Sequence, residues 1–319
     1  MGTFDLKLGF QCNNDCIHCV VADKRSSGKL SLDEMLSIIS KVEPGSYLQI
    51  TGGEPTTFKK ELPVILKYAK ERGLLPAIQT NGTGFADEDF IAACAPYIYN
   101  WHIAIHSCNP EIHDAIVKCK GMWEQTMKGF KNALKYPQVI LTTQTVLSKL
   151  NIGTLYETYE MIQNLAPGTQ MSMTYPHLNG NAWKNRDEVA FRFSEHSGTF
   201  RKILKRWGGL IFTESIPYCH TYPFLNHPSL EEDIVYLSEE RIGIDFSQGS
   251  DLHDYNQSDI RDRRKAPRCK ECLFNQQCIG VWKEYIDLFK NKLDLIPLTE
   301  ERMKKLDEKY NRCEDCGLS

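Results

Sequence analysis

The sequence predicts an α/β fold: parallel strands and helices form a partial (β/α)6 TIM-like barrel, followed by a small C-terminal cysteine-rich α+β extension. Two observations carry this prediction. Short apolar runs alternate with amphipathic helices from residue 4 to about residue 176. The alternation stops near residue 180, and cysteines cluster again between residues 269 and 278.

The candidate strands are short apolar runs separated by helical segments. Such units, joined by right-handed crossovers, give a parallel sheet that curls towards a barrel. Six units instead of eight leave the barrel incomplete, with an open side that leaves room for a large substrate. The candidate strands are Phe4–Phe10, Tyr47–Thr51, Pro76–Thr80, Trp101–His106, Val139–Val146 and Met171–Tyr175.

The intervening helices carry start and stop signals. Ser31 and Glu34 have the spacing of a capping box. Apolar residues at i, i+3, i+4 and i+7, such as those from Leu62 to Ala69, give one helix a face that packs on the sheet. The last helix of the series ends at Pro167-Gly168, a pair that breaks helices.

We divide the chain into four segments. Residues 1–185 form the partial barrel, and 186–218 form a linker with a bridging helix. Residues 219–291 form the cysteine-rich domain, and 292–319 form a charged helical tail that contains a CxxC pair.

Composition excludes several classes of protein. The 38 Lys and Arg against 41 Asp and Glu give a net charge of −3, without the positive field that general nucleic-acid binding needs. No apolar run is long enough for a membrane span, and the N-terminus lacks the order of a secretory signal, so we expect a cytoplasmic protein. In that compartment, twelve cysteines indicate metal sites before disulfides.

The strongest motif is Cys12-Asn13-Asn14-Asp15-Cys16-Ile17-His18-Cys19, directly after the first strand. Three thiolates on one short loop can ligate three irons of a cubane cluster and leave the fourth iron open. A zinc site would ordinarily have a fourth cysteine or histidine ligand. His18 is available, but its backbone already forms part of the turn between Cys16 and Cys19.

This loop closely resembles the hallmark of the radical S-adenosylmethionine (radical SAM) family. The resemblance implies that Cys12, Cys16 and Cys19 hold a 4Fe-4S cluster and that the open iron chelates S-adenosylmethionine (SAM). Reductive cleavage of SAM would give a 5'-deoxyadenosyl radical that abstracts hydrogen from a substrate. The residue before the last cysteine usually lies near the adenine, and His18 occupies that position.

A second motif, Gly52-Gly53-Glu54, ends the second strand. Glycines let backbone approach a ligand closely, and a carboxylate accepts bonds from an ammonium group. A glycine pair alone is more often a turn, but one unit after CxxxCxxC it resembles the family's GGE motif, which contacts the SAM amino group. Further cofactor-binding candidates at later strands, on the same resemblance, are Thr80, Asn81, His106, Ser107 and Gln144. For His106, a strand-end histidine with a backbone partner is an equal alternative.

The third motif is the set Cys219, Cys269, Cys272 and Cys278. A CxxC pair alone suits zinc or a redox pair. Beside a radical SAM barrel it resembles the SPASM and Twitch extensions, which carry auxiliary iron–sulfur clusters. The full SPASM pattern has another cysteine where this chain has Trp282, which favours one auxiliary 4Fe-4S cluster of the Twitch type.

Other cysteines have weaker signals. Cys313 and Cys316 can complete the second site, hold a separate metal, or be reduced tail thiols. Cys94 and Cys119 suit packing. Cys108 follows the fourth strand and can act as the hydrogen donor that some radical SAM epimerases use.

Three functions follow as expectations. The first is maturation of a ribosomally made peptide by cross-linking, oxidation or epimerisation. The second is the same chemistry on a small molecule, and the third is a non-catalytic metal-bound module. The expected partners are a peptide or small-molecule substrate, an electron donor such as flavodoxin or ferredoxin and, for a peptide, a separate leader-peptide-binding protein, with no membrane partner.

Overall fold

The computed structural model describes residues 2–224, 241–244, 252–254 and 261–311, with the two short segments described by their backbone alone. Seven strands pair in parallel and in chain order, each with the next. The predicted partial barrel is confirmed, and one further parallel strand extends it beyond the six predicted. The strands are β1 Thr3–Lys7, β2 Tyr47–Thr51, β3 Leu75–Thr80, β4 Asn100–Ala104, β5 Ile140–Val146, β6 Gln170–Thr174 and β7 Ile211–Glu214.

Additional strands lie beside this sheet and in the extension. β8 (Arg241–Ile244) pairs in parallel with β1, and β9 (Leu252–Asp254) pairs antiparallel with β8. β1, which precedes the first cysteine loop, therefore has neighbours on both sides. In the extension, β10 (Arg263–Arg264) and β11 (Val281–Trp282) form a separate antiparallel pair.

Helices follow the strands and cover one face of the sheet. The capping box is confirmed, since the Ser31 hydroxyl accepts the Glu34 amide and the Glu34 carboxylate accepts the Ser31 amide. The helices are α1 Leu32–Ile39, α2 Glu61–Glu71, α3 Glu88–Cys94, α4 Pro110–Val117, α5 Met122–Ala133, α6 Leu155–Leu165, α7 Gly180–Lys184, α8 Arg186–Val189, α9 Phe193–Trp207, α10 Tyr218–Thr221, α11 Lys283–Phe289 and α12 Glu300–Asn311.

The two faces of the sheet differ in chemistry. Strand residues that face the helices, such as Leu6, Ile50 and Ile103, are fully buried. They meet stripes such as the one on α2, where Ile65 and Leu66 are also fully buried. Each such side chain contributes about 1.5–3 kcal/mol to folding. The opposite, inner face carries polar residues at alternate positions, so the hollow of the half-barrel is polar.

The segment 186–218 contains α9 and β7, and the chain then enters α10, which carries Cys219. The final helix, α12, packs back on this region: an Arg302 guanidinium nitrogen donates to the Cys219 carbonyl at 3.1 Å. The hydroxyl of Tyr222 donates to the Asp307 carboxylate at 2.8 Å. Cys313 and Cys316 lie outside the described residues. Within the described segments, we find no helix of sufficient length and apolarity to cross a membrane.

Candidate active site and cysteine cavity

The first cysteine loop is fixed by backbone hydrogen bonds to helices on both sides. The amides of Asp15 and Ile17 donate to the last carbonyls of α4, at 2.9 and 2.8 Å. The Cys19 carbonyl accepts the Asn181 amide of α7 at 2.9 Å. The Asn181 side chain also donates to the Cys16 carbonyl. Two separate helices, α4 and α7, therefore set the position of the loop.

The three thiols of this loop are free and half-buried. Burial raises the pKa of Cys12 to about 11 and raises the pKa of Cys16 still further, and Cys12 and Cys19 add to the increase at Cys16. Burial also raises the pKa of Cys19. The thiolate forms therefore need a compensating cation, which a bound iron cluster supplies. The donor set fits a cluster with three cysteine ligands.

A different group of donors combines two residues of the loop with His106, which follows β4. One ligand atom each from Cys16, His18 and His106 lies within 4.8 Å of the other two. Among the described residues, these are the three side chains close enough together to hold one metal ion. The sulfurs of Cys12, Cys16 and Cys19 form no such group, so they are spread more widely than a single tetrahedral zinc requires. This spacing favours a cluster over one zinc ion at the three cysteines.

Gly52 and Gly53 pack directly on the start of the cysteine loop. The Gly53 amide donates to the Gly9 carbonyl at 2.8 Å. A Cβ on Gly53 would collide with the Gln11 carbonyl oxygen, and Gly52 has φ of +119°. The motif therefore needs glycine for contact with the loop, independently of any ligand.

Glu54 is buried and ties two loops together. Its Oε1 accepts hydrogen bonds from the Thr56 amide and hydroxyl and from the Thr80 hydroxyl, at 2.9, 2.6 and 2.6 Å. Its Oε2 accepts the Asn81 amide at 2.7 Å. Burial raises the pKa of Glu54 in spite of these bonds, which lower it. Oε2 has one protein partner in these bonds, so it is the oxygen with capacity for an ammonium group.

Asn81 joins the loop after β3 to the cysteine loop. Its Nδ2 donates to Asn13 Oδ1 at 2.8 Å, and Asn13 Nδ2 donates to the Thr83 hydroxyl at 2.8 Å. Thr80 and Asn81, predicted as cofactor-binding residues, thus lie beside both the cysteine loop and Glu54.

The half-buried His18 of the loop lies beside two buried histidines, His106 and His113. The rings of His18 and His106 meet edge to face with centroids 4.8 Å apart, and His113 lies 5.5 Å beyond His106. Burial lowers the pKa of His18 and of His113 to about 4 and the pKa of His106 well below its ordinary value. These rings are therefore neutral at pH 7. The Nδ1 atoms of His18 and His106 are buried without a hydrogen-bond partner.

Ser107 and Cys108 make contacts towards the helices. The Ser107 hydroxyl pairs with the Thr154 hydroxyl at 2.9 Å, and its carbonyl accepts the Trp123 indole N–H. The Cys108 amide donates to the Thr158 hydroxyl on α6 at 2.9 Å. Among the hydrogen bonds of the described residues, none joins Ser107 or Cys108 to the cysteine loop.

A row of polar side chains crosses the inner face of the half-barrel. Gln144, predicted as a cofactor-binding residue, lies in the middle of this row, between Gln79 and Thr174. Thr51 and Glu214 complete the row on β2 and β7. Of these five residues, only Gln144 was predicted from the sequence to be a site residue. The available signal was a polar residue at every second position of strands whose other positions are apolar.

The second group of cysteines surrounds one cavity in the extension. Cys219, Cys269, Cys272 and Cys278 all line it, with apolar neighbours that include Tyr218, Phe274 and Leu295. Burial raises the pKa of Cys219 to about 12 and raises the pKa values of Cys269 and Cys278.

Backbone amides point at two of these sulfurs. The Gly280 amide donates to Cys278 Sγ and the Leu298 amide donates to Cys272 Sγ, both at 3.4 Å. Hydrogen bonds to cysteine sulfur are a feature of iron–sulfur sites. No three of the four sulfurs come within 4.8 Å of one another among the described residues, again wider than one zinc ion requires. The residues fit a cluster.

The remaining cysteines lie outside both groups. Cys94 is buried at the end of α3, and Cys119 is half-buried just after α4. Neither lines the cavity of the extension.

A comparison with protein families identifies the N-terminal half. Residues 6–162 match the radical SAM superfamily. Among curated proteins, the AdoMet-dependent heme synthase of Oleidesulfovibrio alaskensis is 27% identical over 158 residues, 48% of this chain and 40% of that protein. The probable GTP 3',8-cyclase of Thermococcus kodakarensis is 26% identical over 160 residues, 49% of this chain and 51% of that protein. The chain spans about half or less of the length of these relatives.

Solved structures match along nearly the whole chain. Native anSMEcpe with bound AdoMet superposes with a TM-score of 0.65 at 14% identity, covering 97% of both chains. Streptococcus suis SuiB bound to S-adenosylmethionine superposes with a TM-score of 0.62 at 14% identity, covering 93% of this chain and 76% of that one. At this identity the likeness shows the fold.

The two comparisons agree on the N-terminal half-barrel. The domain at residues 6–162, about half of the chain, matches the radical SAM superfamily. The cofactors of that superfamily are a 4Fe-4S cluster and SAM, and the three cysteines of the first loop fit such a cluster. The non-catalytic metal module considered from the sequence is therefore set aside.

Proposed function

We propose that this enzyme reductively cleaves SAM at a cluster held by Cys12, Cys16 and Cys19 and abstracts a hydrogen atom from its substrate. The cluster and SAM, when bound, supply the 5'-deoxyadenosyl radical. One observation carries the assignment: three free, half-buried thiols share a loop on which the Gly52–Gly53 backbone is packed. Burial favours the protonated form of these thiols, so binding of a cluster would release their protons.

The chain's own residues position SAM. We assign the amino group of SAM to the Gly52–Glu54 segment, because Glu54 Oε2 retains acceptor capacity there. Thr80 and Asn81 hold the Glu54 carboxylate in place. His18 and His106, neutral and adjacent to the loop, provide ring surfaces for the adenine end. Gln144 offers an amide on the inner face, and Ser107 supports the loop after β4.

We further propose one auxiliary 4Fe-4S cluster held by Cys219, Cys269, Cys272 and Cys278. Its support is the shared cavity, the wide sulfur spacing and the amides directed at Cys272 and Cys278. Zinc is the alternative occupant. An auxiliary cluster that accepts an electron from the substrate would make the net reaction an oxidation.

The substrate we propose is a ribosomally made peptide, which the enzyme cross-links, oxidises or epimerises. Two structural neighbours support this class: anSMEcpe has been solved with AdoMet and the Cp18Cys peptide, and SuiB with its precursor peptide SuiA. The open half-barrel has an inner surface of amides and hydroxyls, which suits a polar chain. Cys108 is the proposed hydrogen donor if the outcome is epimerisation.

A small molecule is the second candidate. It is favoured by the curated relatives, which include a heme synthase and a probable GTP 3',8-cyclase. The partners we propose for either substrate are an electron donor such as flavodoxin or ferredoxin and, for a peptide, a separate leader-peptide-binding protein.

Anaerobic SAM cleavage tests the proposal. The reconstituted enzyme with dithionite and SAM should form 5'-deoxyadenosine, and Cys16→Ala should abolish it. Cys119→Ala is the matched control, because Cys119 lies outside both cysteine groups, and it should retain the wild-type rate. Wild-type formation of 5'-deoxyadenosine by Cys16→Ala would overturn the assignment.

A further inference from the structure

We propose that Glu214 is a substrate-binding residue that selects a cationic group, an ammonium or a guanidinium, in the hollow of the half-barrel. This inference rests on the proposed function, because it gives that enzyme's substrate a chemical feature. It starts from the position of Glu214 as the last residue of β7, with a half-exposed side chain.

Glu214 shares the inner face with the polar row. In the strand register it lies opposite Thr174, while its neighbour Thr213 lies opposite Met173 on the face that packs against the helices. Met173 is fully buried and Thr213 is nearly so. Because side chains alternate along a strand, Glu214 faces the hollow.

The row is a hydrogen-bond chain with a single direction. The Thr51 hydroxyl donates to Gln79 Oε1 at 3.3 Å, and Gln79 Nε2 donates to Gln144 Oε1 at 2.7 Å. Gln144 Nε2 donates to Thr174 Oγ1 at 3.4 Å, and Thr174 Oγ1 donates to Glu214 Oε2 at 3.0 Å. The carboxylate fixes this direction, because an ionised carboxylate only accepts.

Every dipole in the row therefore points its positive end towards Glu214. Aligned hydrogen bonds polarise one another and stabilise negative charge at the accepting end.

Most acceptor positions of the Glu214 carboxylate have no partner in the described part of the protein. A carboxylate has about four acceptor positions, and one is used by Thr174. No ion pair joins Glu214 to a lysine, arginine or histidine within the described part of the chain. A substrate that fills the hollow displaces the water around this carboxylate, and a cation then compensates the charge. The amides of Gln79 and Gln144 line the approach for the polar remainder of the ligand.

A pair of isosteric probes tests the inference. Acetyl-Gly-Arg-Gly-amide and acetyl-Gly-citrulline-Gly-amide differ by the charge of one side chain, and their dissociation constants for the SAM-loaded holoenzyme are measured by calorimetry. We expect the arginine probe to bind about 10-fold more tightly or better, as hydrogen bonds to a charged group imply. Glu214→Gln should weaken the arginine probe to the citrulline level and leave the citrulline probe unchanged. Glu160→Gln, on the exposed face of α6, should change neither.

Three results would overturn the inference: equal affinity of both probes for the wild type, no binding of either, or an arginine preference that survives in Glu214→Gln. Glu214→Asp, which keeps the charge, should retain part of the preference. Formation of 5'-deoxyadenosine without substrate is measured on the same samples. If the wild type forms no 5'-deoxyadenosine, the proposed function is refuted. If it forms 5'-deoxyadenosine but binds both probes equally, only the role of Glu214 is refuted.

Discussion

The imidazole of His177 lies flat against the indole of Trp282, with ring centroids 4.1 Å apart and planes 7° from parallel. The Arg263 guanidinium lies 4.0 Å from the centroid of the same indole. His177 Nε2 also lies 3.2 Å from a Glu284 carboxylate oxygen. Because His177 follows β6 and Trp282 ends β11, this stack joins the half-barrel to the extension. Trp282, where the sequence departs from the SPASM pattern that it resembles, thus takes part in the contact between the half-barrel and the extension.

Trp282→Ala should weaken this junction. The indole is nearly fully buried, so its removal leaves a cavity and costs about 3–5 kcal/mol in the free energy of unfolding. Trp282→Phe keeps a ring against His177 and should lose less. Denaturant unfolding of the three proteins checks the order, and equal stability of Trp282→Ala and wild type would contradict the role of the stack.

Gly53→Ala should displace the start of the cysteine loop by direct overlap. A Cβ at Gly53 would overlap the Gln11 carbonyl, so the loop start must move and the first cluster should assemble poorly. Gly153→Ala is the matched control, since no heavy atom lies within 4 Å of its added Cβ. Iron per chain after anaerobic reconstitution measures the difference. Full iron content in Gly53→Ala would show that the contact is dispensable.

Cys269→Ala should remove the auxiliary cluster alone. Its sulfur lines the cavity of the extension and not the first loop, so about four irons should be lost, as in one cubane. Uncoupled 5'-deoxyadenosine formation should continue at a similar rate, because the first loop is intact. Unchanged iron together with lost zinc would instead assign zinc to the extension.

Buried neutral histidines make stability depend on pH. Burial lowers the pKa of His113 from 6.5 to about 4. As pH falls below 6.5, the unfolded chain gains a proton that the folded chain excludes, so the free energy of unfolding falls until pH reaches about 4. His113→Asn should reduce that slope by up to about 1.4 kcal/mol per pH unit. Unfolding curves at several pH values check this, and an unchanged slope would contradict a neutral buried His113.

Local signals predicted much of the fold. The capping box at Ser31 and the α2 stripe are determined by residues a few positions apart, and both are present as predicted. The cysteine spacing and the Gly52-Gly53 pair are equally local. By contrast, β7 has four residues and follows the charged helix α9, so its sequence lacks the length that identifies a strand.

Contacts between strands could not be predicted from such local signals. The row from Thr51 to Glu214 depends on the register of neighbouring strands, which no single segment encodes. The contact of His18 with His106 joins the first cysteine loop to the end of β4, and it depends on how both loops fold over the sheet.

Iron and acid-labile sulfide per chain test the central claim most directly. They are measured after anaerobic reconstitution of the wild type and of the Cys12/Cys16/Cys19→Ala variant. The account predicts about eight irons in the wild type and about four in the variant, one cubane for each cysteine group. The same iron content in both proteins would contradict a cluster at the first loop.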